Sequence, residues 1–203
     1  MIKPLLAAFL ATSLLALAPH ARAVTVVDTG TPNGDAVGAL AFDGFDWVDG
    51  KLSFAQAADI DGIQGHILGG AAGETFDISL YAADATQGPG TLLATTTATY
   101  GASGWNGASG LGWTVAAGSY WVEFEIQGAD TLGDSSVTGA LFDTGAPNPL
   151  ATTASTPDAG FTYAVSPLSF GLQVSTVPWP SSASLVLAGL ALLATWGLAR
   201  RRG

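Results

Sequence analysis

Two glutamates, Glu123 and Glu125, stand two residues apart in the stretch SYWVEFEIQ, with Trp121 two residues before them. On a strand this spacing puts all three side chains on one face, with Cα atoms about 7 Å apart from one to the next. Inverting glycosidases hold their two working carboxyls about 6.5–9.5 Å apart. Those enzymes draw the pair from opposite walls of a cleft, whereas neighbours on one strand more commonly form a solvated face. No catalytic residue is therefore assigned. An indole stacks on sugar rings, so Trp121, Glu123 and Glu125 are candidate glycan contacts. Tyr120, Val122, Phe124 and Ile126 alternate with them and claim the core, so Trp121 is expected to be at least partly exposed.

Other chemistries are less well supplied. The chain has no cysteine, hence no disulfide and no thiolate metal site. Past the N-terminal segment there is one histidine, His66, alternating with Gln64 and Leu68, so it reads as a surface or edge residue. No G-x-S-x-G surrounds Ser103 or Ser109. Asp59 and Asp61 precede Gly62 in ADIDGI, but the further ligands and terminal glutamate of an EF-hand loop are missing. No metal ligand set is assigned. Acidic loops still offer hard oxygens, so a structural Ca²⁺ is the one cofactor that the composition leaves open. Trp105, Trp113 and Trp121, with Tyr100 and Tyr120, fall within 22 residues. They are either core filling or a sugar platform.

The elements that must carry these residues read as strands. Phe76, Ile78 and Leu80 alternate with Asp77, Ser79 and Tyr81; Phe170, Leu172 and Val174 repeat the pattern. Period-two alternation marks half-buried antiparallel strands. VTVVD, DGIQGHIL, TLLATTTATY and SVTGALFD are further candidates. Asn33-Gly34, Asp43-Gly44, Asp49-Gly50 and Gln87-Gly88-Pro89-Gly90 supply turn residues, and Ala116-Ala117-Gly118 a hairpin. Eight to ten short strands predict an all-β, antiparallel β-sandwich of jelly-roll-like kind over residues 24–176. Residues 145–160 read as an excursion loop. GASG occurs at 101–104 and 107–110, too short a repeat for a solenoid.

Charge separates this middle region from its flanks. All sixteen acidic residues lie between Asp28 and Asp158, against Lys51 alone, a net charge of −15 with His66 neutral. Such a surface repels nucleic acid. Residues 1–23 place Lys3 before the apolar run Leu5–Ala18 and end in Ala21-Arg22-Ala23. This is the pattern of a secretory signal peptide cleaved after Ala23, through the secretion translocon. Ala183–Ala199 is a charge-free apolar run of 17 residues. At 1.5 Å per residue it covers about 26 Å, close to a bilayer's hydrocarbon core. Arg200, Arg201 and Arg202 follow as a basic stop, cytoplasmic by the positive-inside rule. Before any processing the chain reads as a single-pass membrane protein.

Val177, Pro178, Trp179 and Pro180, then the span, then the arginines, compose residues 177–203 in three parts. This order resembles the PEP-CTERM sorting signal in its VPxP-type variants, with Trp179 where that family most often has glutamate. The resemblance implies recognition by exosortase, cleavage near the proline motif, and transfer to the cell envelope or exopolysaccharide matrix of a Gram-negative bacterium. LYAADATQGPGTLL and GWNGASGLGWTVAAGSYWVEFE resemble the β-sandwich ectodomains that accompany such tails. The resulting expectation is an exported, non-enzymatic envelope protein. The alternatives are a carbohydrate-binding surface protein and a single-pass protein that keeps its anchor.

Overall fold

The computed structural model describes residues 23–32, 39–84, 88–135, 139–166 and 168–178. Ala21, Trp179, Pro180, the run 183–199 and Arg200–Arg202 lie outside the described residues. Among the described residues no helix is long and apolar enough to cross a membrane.

Ala23–Val177 is one compact unit. Its strands are β1 (Val24–Asp28), β2 (Leu40–Phe42), β3 (Trp47–Phe54), β4 (Ala58–Leu68), β5 (Thr75–Ala83), β6 (Pro89–Thr99), β7 (Gly104–Val115), β8 (Gly118–Glu125), β9 (Ala140–Phe142), β10 (Thr153–Thr156), β11 (Ala164–Ser166) and β12 (Leu172–Val177). They pair antiparallel in two six-stranded sheets. The first runs β1-β12-β4-β9-β2, with β7 on the opposite edge of β4; the second runs β11-β10-β3-β8-β5-β6. The all-β, antiparallel sandwich read from the alternation is the architecture observed. Val24 is paired with Thr176, so the unit's first and last strands lie side by side.

The core lies between the sheets. Phe142 from the first, and Phe170 just before β12, meet Phe124 from the second at ring-centroid distances of 4.8 and 6.2 Å, and Phe42 meets Phe76 at 6.0 Å. These three contacts and that of Phe142 with Phe170 are edge-on, the geometry that sets a ring's positive edge against its neighbour's negative face. Val48, Leu52, Ile78, Leu80 and Val122 complete the second sheet's inner face.

Two expectations fail here. Asp49-Gly50 is not a turn but the middle of β3. Gly50 faces the core, where an added Cβ would come within 2.8 Å of Leu150 and 2.9 Å of Leu172. The glycine is there for close packing, not for a bend. Residues 145–160 are not wholly a loop, since Thr153–Thr156 forms β10 and pairs with Trp47–Gly50. Its short TAST run carries no apolar alternation to reveal it.

Candidate functional site

Residues opposite each other in adjacent strands share a face, and the register of the second sheet assembles one unusual outer surface. Its middle row is Ala154, Asp49, Glu123, Ser79 and Thr95. One flanking row contains Lys51, Trp121 and Tyr81; the other contains Asp77, Glu125 and Thr97, with Trp47 beside Thr156. The inner alternate residues form the core, so by simple sandwich logic this face should meet solvent.

It does not. Trp121 is 1 % exposed, Glu123 0 % and Glu125 1 %, and Asp49 beside them is also 0 % exposed. The expected exposure of Trp121 and its glutamates is corrected: the face they share is right, and that face is covered. Tyr81 Oη donates to Glu125 Oε1 at 2.8 Å, although the two residues start in opposite flanking rows. Their side chains must lean together across the middle row. Gln127 Nε2 donates to Glu125 Oε2 at 2.6 Å. From the β10–β11 connection, Tyr163 Oη donates to both Glu123 oxygens, at 3.1 and 3.3 Å. This connection is a tightly tied turn. Asp158 accepts bonds from Thr156 Oγ1, Thr162 N and Thr162 Oγ1, and Thr156 Oγ1 accepts one from Gly160 N.

Three buried carboxyls on neighbouring strands cannot all be ionised cheaply. Asp49 and Glu123 stand directly opposite each other on β3 and β8, and both are fully buried. Neither Asp49 oxygen receives a bond from any N–H or O–H donor, while Glu123 receives Tyr163. As two carboxylates they would face each other as acceptors only. A proton on Asp49 lets it donate to Glu123, with the negative charge on Glu123, which Tyr163 stabilises by its hydrogen bond. Burial, then the charge of Glu123, holds the Asp49 carboxyl well above the usual range. Burial, then the charge of Glu125, pushes Glu123 up to about 8, against the bonds from Tyr163 and Asp49. Burial also raises Glu125, with Tyr81 and Ser79 opposing. The Tyr81 and Tyr163 phenols are raised by burial and by the neighbouring glutamates, so both remain donors. Lys51 Nζ lies 5.7 Å from the Trp121 ring centroid, a cation–π distance. The indole N–H groups of Trp47 and Trp121 are buried without an acceptor.

The remaining candidates are dispersed. Trp105 and Trp113 lie on β7 in the first sheet, Trp121 on β8 in the second, and Tyr100 and Tyr120 are core residues. The five form no common platform. His66 is not a plain surface residue: its ring stands edge-on to Trp105 at 5.2 Å, and Nδ1 lies 3.1 Å from Asp143 Oδ2, with both side chains largely buried. The contact is an ion-pair approach without an aligned hydrogen bond. Asp59 accepts from Thr114 Oγ1 at 2.6 Å, bridging β4 and β7. Among the described residues no group of three acidic or histidine side chains could hold a metal ion. An open groove of about 570 Å³ adjoins the acid face at Trp47 and is lined in part by Asp43, Asp130 and Asp134. That lining disfavours anions.

Sequence reasoning missed Asp49, the acid on which the arrangement turns, because Asp-Gly is a strong turn signal. The alternation of Trp47, Asp49 and Lys51 with Val48, Gly50 and Leu52 was the available clue. No protein-family model matches the chain, and no curated protein matches it.

Proposed function

We propose that this is an exported, non-enzymatic protein of the cell envelope or extracellular matrix, delivered by its leader and sorted through a PEP-CTERM-like tail by exosortase. The observation that carries the reading is the order of residues 177–203: proline motif, apolar run, three arginines. One feature of the fold supports it. Val177 is both the first residue of the motif and the last of β12, and Pro178 after it is exposed. A processing enzyme would thus meet the motif at the rim of the folded unit. The chain also crosses repeatedly between the sheets, which supports the finer jelly-roll-like reading.

The glycan-binding alternative loses its footing, since the indole meant to stack on a sugar is buried. The test is the mature C-terminus. The protein is purified from its native host, and its intact mass and C-terminal peptide are measured. A terminus within Val177–Pro180 is expected. A terminus at Gly203 in the membrane fraction would overturn sorting in favour of a retained anchor.

A further inference from the structure

The covered acid face is an odd investment for a β-sandwich. The β10–β11 connection, residues 157–163, lies over it as a strap. It is knitted by its own Asp158 and Thr156 bonds. Its hold on the rest of the fold is narrower: the Tyr163 bonds to Glu123, the bond from Ala159 N to Phe45 O at 2.9 Å, and Gly160 against the Trp47 ring. Phe161 points the other way and is 87 % exposed. Such a turn can lift as a body when its contact with Glu123 fails.

We propose that Asp49 and Glu123 share a proton that keeps this strap closed, and that losing the proton lifts the strap and uncovers the Trp47–Glu123 face. The groups around the pair decide the direction. From β3 comes Lys51, and from β8 Glu125. From β5 come Tyr81 and, a row further, Asp77. From the strap come Tyr163 and, turned back upon Thr156 and Thr162, Asp158. β10 presents Ala154 and Thr156, and β6 presents Thr95 and Thr97, none of which titrates. Lys51 is the single cation among at least three carboxyls. When the shared proton leaves, Asp49 becomes an anion with no donor, beside a second anion. Two such buried charges must be rehydrated. The strands of the sheet cannot part to admit water without breaking their ladder, whereas the strap can move.

The experiment is hydrogen exchange of the full-length chain from pH 5 to 9, without and with chelator, corrected for intrinsic exchange and read on peptides covering 157–163. If one proton is linked to opening, the opening constant rises by up to about tenfold per pH unit above the transition. Asp49→Asn supplies a permanent amide donor to Glu123, so its strap should stay protected at pH 9. Tyr163→Phe removes the strap's own bond and should open it already at pH 5, which keeps the test decisive if the asparagine variant does not fold. Equal protection of the wild-type strap at pH 5 and 9 would overturn the proposal. So would an unchanged pH slope in a folded Asp49→Asn. Protection at pH 7 that disappears only on adding chelator would assign the site to a cation instead.

Discussion

Stability should fall as pH rises from 5 to 8, an unusual direction for an acidic domain. A carboxyl whose pKa is raised by folding stabilises the fold fully below its unfolded value and loses that contribution as pH climbs to the folded value. For the proton that Asp49 and Glu123 share, written on Glu123, the interval is 4.5 to about 8. Each tenfold in proton affinity is worth about 1.4 kcal/mol, so acting alone the group would remove about 5 kcal/mol across the interval. Its coupling to Asp49 and the entry of water trim this to roughly 2–4 kcal/mol. For a unit of this size that is a fall in Tm of about 5–15 °C. The assay is calorimetry of the full-length chain at pH 5, 6, 7 and 8 in high salt. Salt screens the repulsion among surface acids but not the buried pair. Asp49→Asn should flatten the slope and melt above wild type at pH 8. A Tm that is level or rising between pH 5 and 8, or a slope that survives in Asp49→Asn, would refute the reasoning.

The opposite limb belongs to Glu74, whose carboxylate accepts bonds from Ala71 N, Gly133 N, Ser135 N and Ser135 Oγ and is held at about 2, chiefly by Ser135. Its stabilisation is present above pH 4.5 and disappears as pH falls through 2, so the stability maximum should lie near pH 4–5; Glu74→Gln should cost about 1–2 kcal/mol at pH 7, solvent screening included, and remove the acid limb in urea melts. Gly107→Ala should be worse than Gly50→Ala, by the difference between backbone and side chain. A Cβ at 107 collides with the Ile63 carbonyl oxygen and must separate β4 from β7, whereas at 50 it meets two leucine methyls; denaturant unfolding should show about 3 kcal/mol or more against about 1–2. Phe124→Ala removes a ring in contact with Phe76, Phe142 and Phe170 and should cost about 3–5 kcal/mol, read as a lower urea midpoint.

Alternation exposed the strands whose inner residues are bulky. Phe76–Ile78–Leu80 and Tyr120–Val122–Phe124 face the core as read. It marks β3 only weakly, because Gly50 leaves a gap among the bulky core positions and Asp49-Gly50 reads as a turn. It also assigns a residue to a face without saying what lies over that face. The cover on Glu123 comes from Tyr163, forty residues on in the chain. Nothing local to SYWVEFEIQ distinguishes a solvated pair of glutamates from a buried one. The third acid and Tyr81 become visible together only once the register joins β3, β8 and β5.

The pairing of Val24 with Thr176 has a mechanical meaning. β12 is clamped on both edges, by β1 and by β4. Tension drawn from beyond Val177 along this strand, against the body of the domain, loads two ladders in parallel and in shear, so their bonds must yield together. Tension between the two exits of the unit loads only the β1–β12 seam and opens it one rung at a time. The same domain is therefore stiff towards a tether at one end and a fuse when pulled at both.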